Sequence, residues 1–211
     1  MDRPWTTGFH KQPATGPVGV TELGLAGDGQ ADLVNHGGPD KAICVYPMEH
    51  YAGWREELGI TLGHAAFGEN FTSHGLVESG VCIGDVFQCG ALTVQISQPR
   101  QPCWKLARRW RIKDLAARVD RTGRSGWYFR VLQAGSIEKG DVLTLVERGH
   151  PCWTIAEANQ VMHHRKDDLS AAAALARCPA LSSSWKSSLE LRVGKGIAPD
   201  RPDRLQDPAL D

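Results

Sequence analysis

The residues best suited to chemistry lie between Gln95 and Trp110, in the stretch QISQPRQPCWKLARRW. It begins with the pattern of a strand and ends as a basic helix. Between the two, Pro99 and Pro102 flank Arg100 and restrict the backbone on both sides of it. Cys103 then opens the helix, with cations at Arg100 and Lys105. A thiol at a helix N-terminus beside positive charge is biased toward thiolate, the form that ligates metals and attacks electrophiles. The competing reading is a buried thiol packing as a small hydrophobe.

Other polar clusters supply the partners such a thiol would need. In the loop from Gly24 to Asp32, Gly27, Asp28 and Gly29 sit where backbone amides can approach a ligand. No amphipathic helix follows, which argues against a dinucleotide fingerprint. Next come His36, Gly37, Gly38 and Lys41, the composition of an anion site in which lysine acts as a compact cation. Asn70, in Gly68-Glu69-Asn70, can hydrogen-bond a ligand. Glu69 is either a general acid or an exposed or salt-bridged carboxylate. The cations from Arg108 to Arg121 read chiefly as a solvated helix face. Trp127 or Tyr128 is placed to stack on a flat base. His163 and His164 are adjacent, so they face different sides of a helix and read as surface residues.

SQPRQPCWKLARRW resembles the cysteine segment of the MOSC proteins, in particular their YiiM-like branch. LAGDGQADLVNHGGPDKAICVYPMEHYAGW, AFGENFTSHGL and CIGDVFQCG agree with it in order, so the resemblance spans about Phe9 to about Arg192. It implies a molybdenum cofactor (molybdenum bound to molybdopterin) and reduction of N-hydroxylated bases, a detoxifying activity. In that reading Cys103 ligates the metal, and Lys41, His36 and Arg100 hold oxo or phosphate oxygens. The Gly27–Gly29 loop, Gly37, Gly38, Asn70 and Lys105 complete the cofactor site. Electrons would come from a separate reductase, because no flavin, haem or iron–sulfur motif is present. A non-catalytic carrier of cofactor or sulfur using Cys103 is the alternative, and a metal-free thiol sensor is a third.

Many short strands separated by turns must position these residues, including the echoed Gly84-Asp85 and Gly140-Asp141 turns. They predict an α+β fold, mainly β, with a closed barrel, because closure removes sheet edges. The barrel is expected over residues 1–150. Three helices follow over 151–194, the first capped by Thr154 with Glu157, and then a disordered tail over 195–211. Relatives begin further upstream with an additional strand, so either this barrel closes differently or translation starts earlier. The formal net charge is zero, so no global field recruits nucleic acid or an anionic membrane. No apolar run approaches membrane-spanning length. Six scattered cysteines without a secretion signal suit reduced thiols in the cytoplasm. A homodimer is compatible with all of these features.

Overall fold

The computed structural model of the chain describes residues 6–30, 36–196 and 204–205. Among them run β1 (Val18–Thr21), β2 (Gly24–Leu25), β3 (Ile43–Pro47), β4 (Phe71–Ser73), β5 (Val86–Cys89) and β6 (Leu92–Pro99). They are followed by β7 (Trp127–Gln133), β8 (Gly135–Ile137) and β9 (Thr144–Glu147). The larger sheet has the order β4-β3-β7-β6-β5-β9, and the smaller β2-β1-β8. Six α-helices accompany them: α1 (Glu49–Leu58), α2 (Lys105–Trp110), α3 (Leu115–Thr122), α4 (Ile155–Asn159), α5 (Leu169–Ala176) and α6 (Ser183–Lys195). The α+β class is therefore observed. The α-helices among the described residues number six in all, and three of the six lie in the C-terminal region.

The expected closed barrel does not form. The six-stranded sheet curls into a half-barrel, with β4 and β9 left as its edges. Its curl has a local cause. The β6–β7 ladder slips register at Thr93/Val94 and again at Ile96/Gln98, and each such bulge bends and twists a strand pair. Closure would need a ladder joining the two edges, and among the described residues none exists. β4 has three residues and pairs only with β3, in parallel. At Ala134 the chain leaves β7 for β8, which joins the smaller sheet and does not extend the larger one.

Period-two alternation then decides which side chains reach the cleft. Ile43 and Val45 of β3 enter the main core with Trp127 and Phe129 of β7. Tyr46 enters a second core with Tyr51, Trp54 and Phe67. Cys44 shares the parity of Tyr46 and lies opposite Tyr128 across the β3–β7 ladder. Trp127 is fully buried, so of the two aromatics expected near a flat base only Tyr128 is available. Gly126 makes this junction fit. Its φ is +71°, and a Cβ there would sit 2.1 Å from the Val45 carbonyl oxygen.

The C-terminal helices are capped by the residues that precede them. Thr154 Oγ1 accepts from Glu157 N (3.0 Å), Asp168 Oδ1 from Ala171 N (2.8 Å) and Ser182 Oγ from Trp185 N (3.3 Å). The Ser182 amide donates to Ser97 O (2.9 Å), and Ser184 Oγ to Gln98 Oε1 (3.2 Å). Thus α6 grips the end of β6 just before the cysteine loop. Of the expected tail, Lys195, Gly196, Arg204 and Leu205 are described; its other residues lie outside the described set. No helix among the described residues is long and apolar enough to cross a membrane.

His163 is not a surface residue. Its side chain is 12% exposed, lies edge-on to Trp185 and faces Asp120 Oδ1 at 3.9 Å. Burial holds its pKa down to about 4, against the pull of Asp120. The unfolded histidine titrates near 6.5, so acidification protonates the unfolded chain first. Stability is full above pH 6.5 and falls as the pH drops toward 4. Urea unfolding should show the wild type losing about 2–3 kcal/mol more than His163→Gln across that window.

Candidate active site

The site is built at the end of β6. After Pro99 the Arg100 amide donates to Gly126 O (3.0 Å), which turns the Arg100 side chain inward. The residue is 6% exposed, and among the described residues its Nη1 has no hydrogen-bond partner. The guanidinium lies 5.9 Å from the Phe9 ring centroid. Burial presses its pKa down, but coupling to the ionisable groups around it, Cys44 and Tyr128 ahead of Cys103 and Glu69, outweighs this and the net direction is up. Arg100 therefore stays a cation, and it lines a cleft with about 80 Å³ of interior space.

Cys103 lies in the same cleft, 8% exposed, with its Sγ 3.9 Å from His36 Nε2. It does not open the helix as the sequence suggests. It precedes α2 by two residues, with Trp104 at the N-cap, and its carbonyl accepts from Leu106 N at 3.1 Å. Lys41 reaches the cleft from a 3₁₀ turn, Pro39–Lys41. The turn is pinned through Asp40. Its Oδ1 accepts from Arg130 Nε (2.9 Å), its Oδ2 from the Ser183 amide (3.0 Å), and its carbonyl from Ser97 Oγ (2.5 Å). The position of Lys41 thus depends on β6, β7 and α6 together.

Of the residues singled out in the sequence, Asp28, Gly29, His36, Lys41 and Asn70 line the cleft with Arg100, Cys103 and Lys105. Gly27, Gly37 and Gly38 do not line it. Gly27 (φ +80°) and Gly38 (φ +95°) shape the turns that present Asp28 and Lys41. Asn70 is committed within the protein: its Oδ1 accepts from Cys44 N (2.9 Å) and its Nδ2 donates to Asp28 Oδ2 (2.7 Å). Among the described residues Glu69 is not exposed and forms no ion pair. It is buried and accepts from Tyr51 Oη, Ala65 N, Phe67 N and Thr72 Oγ1, a structural anchor for its loop.

One wall was not foreseen. Thr7, Gly8, Phe9 and Lys11 line the cleft. Arg109 Nη1 donates to Phe9 O (2.8 Å), so the basic run supplies an anchor as well as a solvated face. Gly68, at φ +77°, lets the Phe9 ring lie on its backbone, since a Cβ there would come within 2.8 Å of that ring. Lys11 pairs with Asp28 and closes one end. Cys44 was missed as well; it lines the cleft beside the expected Tyr128. Burial raises both their pKa values, against the pull of Arg100, so thiol and phenol stay protonated.

Among the described residues no group of three or more His, Cys, Asp or Glu side chains could hold a metal ion. A single cysteine sulfur that shares its cleft with Lys41, Arg100 and Lys105 suits a metal that brings its remaining ligands on an anionic cofactor. Arg100 lines the same cleft, and its Nη1, without a partner among the described residues, is a donor that an anion can use. The residues present therefore fit the group.

The MOSC domain family matches residues 32–144, and the YiiM-like 3-alpha helix domain matches residues 153–196. Protein YflK of Bacillus subtilis is 49% identical over 182 residues, 86% of this chain and 82% of YflK. The crystal structure of YiiM from Geobacillus stearothermophilus has a TM-score of 0.80 to this fold at 44% identity, covering 89% and 90% of the two chains. A Gibberella moniliformis protein named reductase is 35% identical over 82% of this chain, which spans 32% of that protein's length. MOSC domains are associated with binding of the molybdenum cofactor. With matching domains in the same order and relatives of this identity, the chain belongs to the MOSC family, in its YiiM-like branch.

Proposed function

We propose that the chain is a molybdenum cofactor-dependent reductase of N-hydroxylated compounds, such as N-hydroxylated purine bases, fed by a separate electron-donor protein. The observation that carries this reading is the buried Arg100 cation, with an unused donor, beside a buried thiol in one cleft. The fungal relative named reductase lends support. It carries the matched region as 32% of a longer chain, which suits a reaction that needs a second module.

When bound, the cofactor supplies the two-electron chemistry by which an N–OH oxygen leaves as water. The chain's own groups bind, orient and charge-balance. Cys103 Sγ is the protein ligand to the metal. Arg100, Lys41 and Lys105 hold anionic oxygens, Arg100 from a dry position where a charge-assisted hydrogen bond is strongest. His36 Nε2, 3.9 Å from Sγ, is placed to hold a proton beside the thiolate. Tyr128 keeps its phenolic proton and remains a donor. The rings of Phe9 and Tyr128 supply flat apolar surface for a base.

A sulfur or cofactor carrier needs an exposed cysteine, and Cys103 is 8% exposed. A metal-free sensor needs a reactive second thiol, and Cys44, which shares the cleft, is held protonated by burial. Both alternatives are less well supported.

Protein expressed in a molybdenum-replete host should contain molybdenum and a fluorescent pterin, both lost in Cys103→Ala. Metal-free wild type would overturn the reading. Arg100→Met should retain the pterin at least about 10-fold less well, the scale of a lost charge-assisted hydrogen bond. Its melting temperature should hold or rise, since an incompletely paired buried charge costs free energy. Loaded wild type should reduce N-hydroxylated purines only when a donor reductase is added; turnover with NADH alone would contradict the separate donor.

A further inference from the structure

Arg204 lies far from the cleft in sequence and does not line it, yet it meets Cys103 from behind. Its Nη1 donates to Pro102 O (3.0 Å), and its own carbonyl accepts from Trp104 N (2.8 Å). These two groups belong to the peptide planes on either side of the Cys103 Cα. The plane before it sets φ and the plane after it sets ψ. One residue therefore fixes both backbone angles that aim the Cys103 side chain. Arg204 is itself fixed, because its Nη2 donates to Asp120 Oδ1 of α3 (2.8 Å).

We propose that Arg204 is a positioning residue for Cys103, a clip that locks the cysteine loop against α3. The proposal rests on the reading of Cys103 as the metal-binding thiol, and it deepens that reading. The cleft side alone does not fix the loop in this way. Pro102 has no amide to donate, and the Cys103 carbonyl is used by Leu106 N. Without the Arg204 guanidinium, the Pro102 carbonyl loses this donor and Asp120 loses its ion pair. Supporting partners of this kind are typically worth about 10–100-fold in metal affinity when removed.

The test compares full-length wild type, Arg204→Ala and Arg204→Lys without cofactor, by iodoacetamide labelling at fixed pH and mass spectrometry of each cysteine. Cys152 is exposed, whereas Cys82, Cys103 and Cys178 are buried. In Arg204→Ala, labelling at Cys103 should rise about 10-fold, with Cys82, Cys152 and Cys178 unchanged. Arg204→Lys, which keeps a cation but not the two-armed fork, should fall between. A uniform rise at all buried cysteines would mean general destabilisation and overturn the clip. An unchanged Cys103 rate would overturn it too. Neither result depends on cofactor content, so a metal-free wild type that shows the selective rise would retain the clip and remove only the molybdenum reading.

Discussion

Arg100 holds a full charge where only 6% of its surface meets water. Such burial costs several kcal/mol unless hydrogen bonds and opposite charge offset it. Here the offset is incomplete. The guanidinium stays protonated, but among the described residues its Nη1 has no hydrogen-bond partner. A fold selected for stability alone would replace this arginine with an apolar side chain. Its retention makes sense if the site awaits an anion, and that requirement organises the surroundings. Pro99 ends β6, Gly126 admits the Arg100 amide, and Phe9 covers the guanidinium face.

The rest of the molecule braces that cation and its neighbouring thiol. The curled sheet brings β3, β7 and the end of β6 side by side, so Cys44, Tyr128 and Arg100 converge. The C-terminal helices act at a distance through α6. Ser183 holds Asp40, and Asp40 sets the turn that carries Lys41. Ser182 and Ser184 hold Ser97 and Gln98, at the end of the strand that leads to Cys103. The YiiM-like helical region thus has a mechanical role toward the cleft without lining it.

Much of the site was legible because its residues announce their chemistry. Cys103 between cations, His36 with Lys41, and the Asp28 loop were all visible as types at short spacing. What was missed depended on tertiary placement. Phe9 and Lys11 join the cleft through Arg109 and Asp28, contacts that no local pattern encodes. Cys44 had a usable signal, one it shares with the expected Tyr128. In ICVY and WYF the strand period places them opposite the core-facing Ile43, Val45, Trp127 and Phe129. The barrel was misread for a different reason. Short alternating strands predict a sheet but not whether its edges meet, and here no ladder among the described residues joins the three-residue edge strand β4 to β9.

Cys103 as the protein's ligand to a cofactor-borne metal can be tested at the metal itself. X-ray absorption at the molybdenum edge tests it most directly, on wild type and Cys103→Ser loaded with cofactor. The account predicts one sulfur fewer around the metal in the variant. An identical sulfur count in both proteins would contradict it and leave Cys103 as a buried thiol beside the site.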